Sequence, residues 1–286
     1  MSESGKNRRD RAAAAREAAN AGEKRRERIV RIVGAVTVLV VVVGIVAVAL
    51  VVKNQASSDA TSNSTSNATA DPNAVLPTGV LPGDNANAFG VPFGTAKADA
   101  PILTIWEDFQ CPACDAVEKA NGAGIEQLAD EGKVQLIWRP TTFLDKNLGN
   151  DSSERAVAAW GCAIDAGKAR EYHIAVFDNQ PEVEGTGYSD NDLIRIAGES
   201  GITGADLDTF TTCFTDRTYL PWAANSSAVF YASGVPGTPF ALLNGVEVPT
   251  ETLADKAALD QLVAQTTAAM FASPAASTPA VSPSAS

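Results

Sequence analysis

The sequence predicts an α/β fold with a helical insertion, preceded by one N-terminal transmembrane helix. Three observations predict it. A run of 21 residues from Ile32 to Val52 carries no charge. Two short β-branched and aromatic runs, Ile102–Trp106 and Val134–Trp138, flank a helical stretch. A hairpin signal near residue 244 comes only after a long block without strand patterning.

The uncharged run is as long as the roughly 20 residues a helix needs to cross a bilayer. Its flanks set a direction. Residues 1–31 hold ten basic and five acidic side chains, net +5, and the rest of the chain is net −17 within an overall −12. Lys24, Arg25, Arg26, Arg28 and Arg31 crowd the N-terminal side of the run, whereas Lys53 stands nearly alone after it. The positive-inside rule then places residues 1–28 in the cytoplasm, a signal anchor at 29–52, and the remainder outside the cell membrane. A cleaved signal peptide would have an apolar core of about 7–15 residues ending at a small-residue site. Here the only such site, Ala47-Val48-Ala49, lies inside the run. Residues 53–86 are rich in Ser, Thr, Asn and Pro and read as a disordered linker, as does the tail 272–286. That leaves 87–271 as one folded domain. Its acidic balance argues against nucleic acid as a partner.

Within the domain each element follows from local pattern. Ile102–Trp106 is a buried strand, and residues 112–130 are helical with a weak point at Asn121-Gly122-Ala123-Gly124. Val134–Trp138 is a second strand, stopped by Pro140. Helical stretches such as Ser153–Ala166 and Asp190–Ser200 make up an insertion over about 150–232. Phe240–Leu243, Asn244-Gly245 and Val246–Val248 form a hairpin, and a last helix runs from about Asp255 to Phe271.

Cys111-Pro112-Ala113-Cys114 lies where the first strand gives way to a helix. There the helix N-terminus favours a Cys111 thiolate, the attacking species in disulfide exchange, and Cys114 is spaced to resolve a mixed disulfide. The same spacing can be half of a zinc site. Cys162 and Cys213 are far from the pair, and the single His173 is not suitably spaced, so no metal and no cofactor are expected.

Asp108-Phe109-Gln110-Cys111-Pro112-Ala113-Cys114 after a strand resembles the active-site segment of DsbA-like thiol-disulfide oxidoreductases of the thioredoxin superfamily. Gly234-Val235-Pro236-Gly237-Thr238-Pro239-Phe240 is similar to that family's cis-proline loop, and Glu171-Tyr172-His173 with Phe177–Pro181 to its helical insertion. Membrane-anchored actinobacterial versions are the nearest in pattern. The resemblance implies a thioredoxin-like fold, a redox-active Cys111–Cys114 disulfide, and a substrate-binding loop at Thr238 and Pro239. Many members bury an acid six positions before the first cysteine, where this chain has Ile105. Glu107 shares its strand parity and is a candidate substitute for that proton relay, but the favoured reading makes Glu107 and Asp108 solvated residues at a strand end. Family oxidants often have His where this chain has Ala113, which predicts an intermediate potential. Two further cysteines in an extracytoplasmic domain pair more often than they stay free, and related actinobacterial proteins carry such a pair. Cys162 and Cys213 are therefore expected to form a structural disulfide, with a second redox relay as the alternative. His173 is expected to be packed or on the surface. Phe109 is core, or else borders the redox pair as exposed apolar surface.

The expected function is oxidation of cysteines in reduced exported polypeptides. A membrane partner of the DsbB or vitamin K epoxide reductase type, implied by the resemblance, would reoxidise the pair. Reduction or isomerisation by the same cysteines is the first alternative, and a non-catalytic envelope-binding module the second.

Overall fold

The computed structural model describes residues 71–272. Its sheet is organised around β2 (Ile102–Glu107), whose last five residues are all buried. β2 runs parallel to β3 (Gln135–Pro140) and antiparallel to β4 (Phe240–Leu243), so Ile105 pairs with Trp138 on one side and Ala241 on the other. β1 (Val91–Phe93) adds antiparallel to β3, and β5 (Val246–Val248) to β4, giving the order β1-β3-β2-β4-β5. The sequence did not predict β1, a three-residue strand with Pro92 at its centre. Proline lacks a donor and is tolerated there because β1 is an edge strand.

A single helical run follows β2. α1 (Pro112–Val117) passes through a π turn (Glu118–Gly122) into α2 (Ala123–Asp130). The π turn falls on the predicted weak point. Its Asn121 side chain is buried and donates to Leu253 O at 2.8 Å, which ties the turn to α9 (Thr250–Leu253).

The insertion comprises α3 (Phe143–Leu148), α4 (Ser152–Asp165), α5 (Ala169–Asp178), α6 (Asp190–Glu199), α7 (Ala205–Thr215) and α8 (Leu220–Ala232). α4 is its axis and packs against α5, α6, α7 and α8. It can do so because its inner positions are small: Ala156, Ala158, Ala159, Gly161 and Ala163 are all buried. A Cβ at Gly161 would sit 2.6 Å from the Tyr219 ring, so this glycine leaves room for that side chain. Beside it, Cys162 is bonded to Cys213 across α4 and α7, with Cα atoms 5.9 Å apart. Ser189 and Asp192 form a reciprocal capping box at the start of α6.

The β4–β5 hairpin turns through Asn244 (φ 50°) and Gly245 (φ 80°), the positive angles that an Asn-Gly turn supplies. α10 (Lys256–Phe271) closes the domain, capped by the Asp255 carboxylate, which accepts from Ala258 N.

The last part of the expected linker needs correction. Residues 71–86 lie on the domain: Asp71 N donates to Asn225 Oδ1, Thr78 N to Asp165 Oδ1, and Val80 is buried. A few apolar side chains, Val80 and Leu76 among them, suffice to anchor a segment whose composition is otherwise polar. Among the described residues no helix is long and apolar enough to cross a membrane. The expected anchor, residues 29–52, and the tail from 273 onward lie outside the described residues.

Candidate active site

The loop from β2 to α1 carries the site. Cys111 is the N-cap of α1 in an extended conformation (φ −78°, ψ 117°), with Pro112 at the first helical position. The loop is pinned from several sides. Cys111 N donates to Asp108 O at 2.9 Å, and Gln180 Nε2 donates to the carbonyls of Phe109 and Cys111. Tyr188 Oη lies 3.0 Å from Phe109 O.

Asp108 is the anchor beneath the loop. It is fully buried and accepts from Gln110 N, Ser153 Oγ and Leu144 N. Gln110 Nε2 in turn reaches Asp145, Asn150 and Ser153. Burial pushes the Asp108 carboxyl up to about 7 against those donors. The solvated strand-end reading of Glu107 and Asp108 is therefore wrong for both: the insertion covers the end of β2. The exposed reading of Phe109 fails for the same reason, since its ring packs on Trp160, Phe177 and His173.

The two cysteines are unbonded to one another, and their environments differ. The Cys111 thiol is lowered from 9.0 to about 6, first by the Cys114 side chain as a hydrogen-bond partner, then by Thr238 and by the backbone N–H groups of Cys114 and Ala113. Burial opposes this and is outweighed. Cys114 moves the other way: burial raises it well above the ordinary thiol value, and so do its bond to Cys111 and the Glu107 charge. One sulfur is held as an attacking thiolate and the other as a protonated reserve.

Opposite the pair, the loop before β4 contains a cis Thr238–Pro239 bond. Cys111 Sγ lies 3.3 Å from Thr238 O, to which a Cys111 thiol donates. The Thr238 hydroxyl has no hydrogen-bond partner among the described residues and can turn toward a thiolate. Replacing Thr238 by Val should therefore raise the Cys111 pKa by about one unit, the scale of one hydrogen bond to a charged group. Titration of the thiolate absorbance reads it, and an unchanged pKa would remove the hydroxyl from the account.

Behind the pair lies a buried polar cluster that the sequence did not reveal. Glu107 Oε2 is 3.1 Å from His173 Nε2, and Glu118, one turn after Cys114, lies beside them. One donor atom of each lies within 4.8 Å of the others. Burial raises Glu107 well above the carboxylate range and Glu118 to about 8, and it lowers His173. His173 had no sequence signal joining it to residue 107, because the contact spans two elements 66 positions apart. Glu118 had one faint signal, its four-residue spacing from Cys114.

A sheet of this order, with a Cys-x-x-Cys pair at a helix N-terminus facing a cis-proline loop, defines a thioredoxin-like protein. A family model described as Thioredoxin matches residues 90–264, and the chain belongs to that family. Three solved structures share the fold. MdbA, a thiol-disulfide oxidoreductase from Actinomyces oris, superposes with a TM-score of 0.56 at 23% identity, covering 70% of this chain and 96% of that one. BdbD from Bacillus subtilis gives 0.53 at 18%, covering 62% and 92%. MdbA from Corynebacterium diphtheriae gives 0.50 at 22%, covering 67% and 99%. Comparison with curated proteins returns no match.

Proposed function

We propose that the protein is a membrane-anchored, extracytoplasmic thiol-disulfide oxidoreductase that oxidises cysteines of exported polypeptides. The observation that carries this reading is the asymmetry of the pair: Cys111 lowered to about 6 beside Thr238, and Cys114 raised behind it. A substrate thiolate attacks Cys111 of the Cys111–Cys114 disulfide, forming a mixed disulfide and releasing Cys114. A second substrate thiolate then attacks the substrate sulfur, which leaves with a new disulfide and frees Cys111 as a thiolate. The substrate loses two electrons and the pair gains them.

Stabilisation of the reduced form supports the oxidising direction. With Cys111 near 6, the reduced protein at pH 7 gains about 1.4 kcal/mol over one with an ordinary thiol, roughly 30 mV toward oxidising power. Thr238 and Pro239 border the pair and would receive an extended substrate backbone. Glu107 would relay the Cys114 proton, and Cys162–Cys213 would be a structural staple. The related MdbA proteins, thiol-disulfide oxidoreductases by name, lend support at the level of fold. The basic flank and uncharged run of residues 24–52 support single-pass anchoring with the domain outside. Membrane reoxidation by a DsbB or vitamin K epoxide reductase type of partner completes the cycle. The reduction potential of Cys111–Cys114 tests the direction: a value near that of thioredoxin would make the protein a reductase instead.

A further inference from the structure

The polar cluster behind the redox pair is short of positive partners. Glu107 and His173 are 5% and 1% exposed, and Glu118 is half-buried. Each leaves one buried atom without a hydrogen-bond partner among the described residues: Glu107 Oε1, Glu118 Oε1 and His173 Nδ1. All three are lone-pair atoms when the ring carries its proton on Nε2. Among the described residues neither carboxyl forms a salt bridge with Lys or Arg; Glu107 has only His173. Buried acceptors that meet no donor are expensive, and an unpaired buried carboxylate more so. The cluster lacks an electrophile.

We propose that Glu107, Glu118 and His173 form a binding site for one zinc ion. No local motif announces it, because the three ligands come from β2, the π turn and α5.

Distances, charge and donor type all point to zinc. Glu107 Oε2 and His173 Nε2 are 3.1 Å apart. Ligands of a tetrahedral zinc ion, bound at about 2.0–2.1 Å, stand about 3.3 Å from one another. This edge of the tetrahedron is therefore already built, and zinc takes the place of the proton between the two atoms. A Glu118 donor lies within 4.8 Å of the other two, so closing on the ion takes a carboxyl movement of at most about 1.5 Å. Its carboxyl has room to move because Gly122 has no side chain; a Cβ there would collide with Glu118 Oε2.

Two carboxylates offset the double charge of the ion, which leaves the filled site neutral, as burial demands. One imidazole with two carboxylates is a zinc donor set. Calcium and magnesium want about six or more oxygens, which Phe109, Trp138 and Trp160 beside Glu107 and His173 cannot supply. The half-buried Glu118 gives the ion its way in and leaves the fourth position to water. Neighbouring cations are engaged elsewhere. Arg139 lines the same small cavity but spends its guanidinium on Ala88 O and the Trp106 face. Arg170 is held by Glu126 and Asp130.

The site does not depend on the exchange chemistry, and its test is run with Cys111–Cys114 oxidised so that no free thiol competes for metal. The full chain, without a polyhistidine tag and in detergent, is titrated with zinc chloride. His173 is the single histidine of the chain, so its imidazole resonances report on the site without any substitution. One zinc ion should bind per chain and move those resonances to a second, slowly exchanging set. X-ray absorption should show one imidazole and oxygen ligands at about 2.0–2.1 Å and no sulfur. Tm should rise with zinc, as it does for any ligand of the native state. Glu118→Gln should keep the circular dichroism of the wild type and weaken zinc binding at least about tenfold, a loss that even outer partners of a metal ligand cause. Zinc that leaves the His173 resonances unmoved, or that binds folded Glu118→Gln as tightly as wild type, sits on surface carboxylates and overturns the site. A chain that takes up no zinc overturns it too. If Glu118→Gln does not fold, the wild-type resonances and absorption spectrum decide alone. Failure of disulfide exchange would bear on neither.

Discussion

Cys111→Ser is expected to reduce oxidation of a reduced, unfolded test protein to the uncatalysed background. The reason is chemical rather than structural. The hydroxyl is nearly isosteric and leaves the N-cap intact, so the fold should survive. It cannot form a disulfide, and the buried Cys114 cannot take over, because its thiol is raised well above the ordinary range. Cys114→Ser should behave differently. Cys111 keeps most of its environment and still attacks mixed disulfides or disulfide reagents, but nothing resolves the product. The variant should accumulate a disulfide-linked complex with its substrate, visible on a non-reducing gel and absent when Cys111 is also replaced. Oxidation of the test protein by Cys111→Ser at the wild-type rate would remove Cys111 from the chemistry.

The second large effect is on stability. Cys162 and Cys213 close a loop of about 50 residues around the axis of the insertion, between α4 and α7. On the chain-entropy account, opening that loop costs roughly 4 kcal/mol, equivalent to a fall in Tm of roughly 10 °C for a domain of this size. The pair Cys162→Ala, Cys213→Ala should show that loss in thermal unfolding while keeping the Cys111 thiolate titration near pH 6. The opposite pattern, unchanged Tm with lost turnover, would make this disulfide a redox relay rather than a staple.

Much of this was legible in the sequence because it is local. The central strands, the Asn244-Gly245 hairpin and the weak point at Asn121-Gly122 are each written within a few residues, and so is the placing of Cys111 at a helix start. The order of elements and the cysteine spacing carried the resemblance to DsbA-like proteins, and the family match and the shared fold agree with it. What escaped was long-range. Glu107 and Asp108 look like a solvated strand end until the insertion covers them, and burial of a carboxylate depends on elements more than 35 residues away, such as Ser153 and His173. β1 escaped because three residues containing proline carry too little pattern. The packing of residues 71–86 escaped because a handful of apolar contacts can fix a segment that composition marks as a linker.

We propose that a stabilised Cys111 thiolate makes Cys111–Cys114 an oxidising couple. The reduction potential, measured against glutathione from pH 5 to 8, tests it most directly. The prediction is a value at pH 7 between those of DsbA and thioredoxin, about −120 and about −270 mV, and on the oxidising side of about −220 mV. Its slope should ease from roughly 59 mV per pH unit below pH 6 to roughly 30 mV above it, as reduction takes up one proton instead of two. A potential near −270 mV, or a slope that stays at two protons through pH 8, would contradict it.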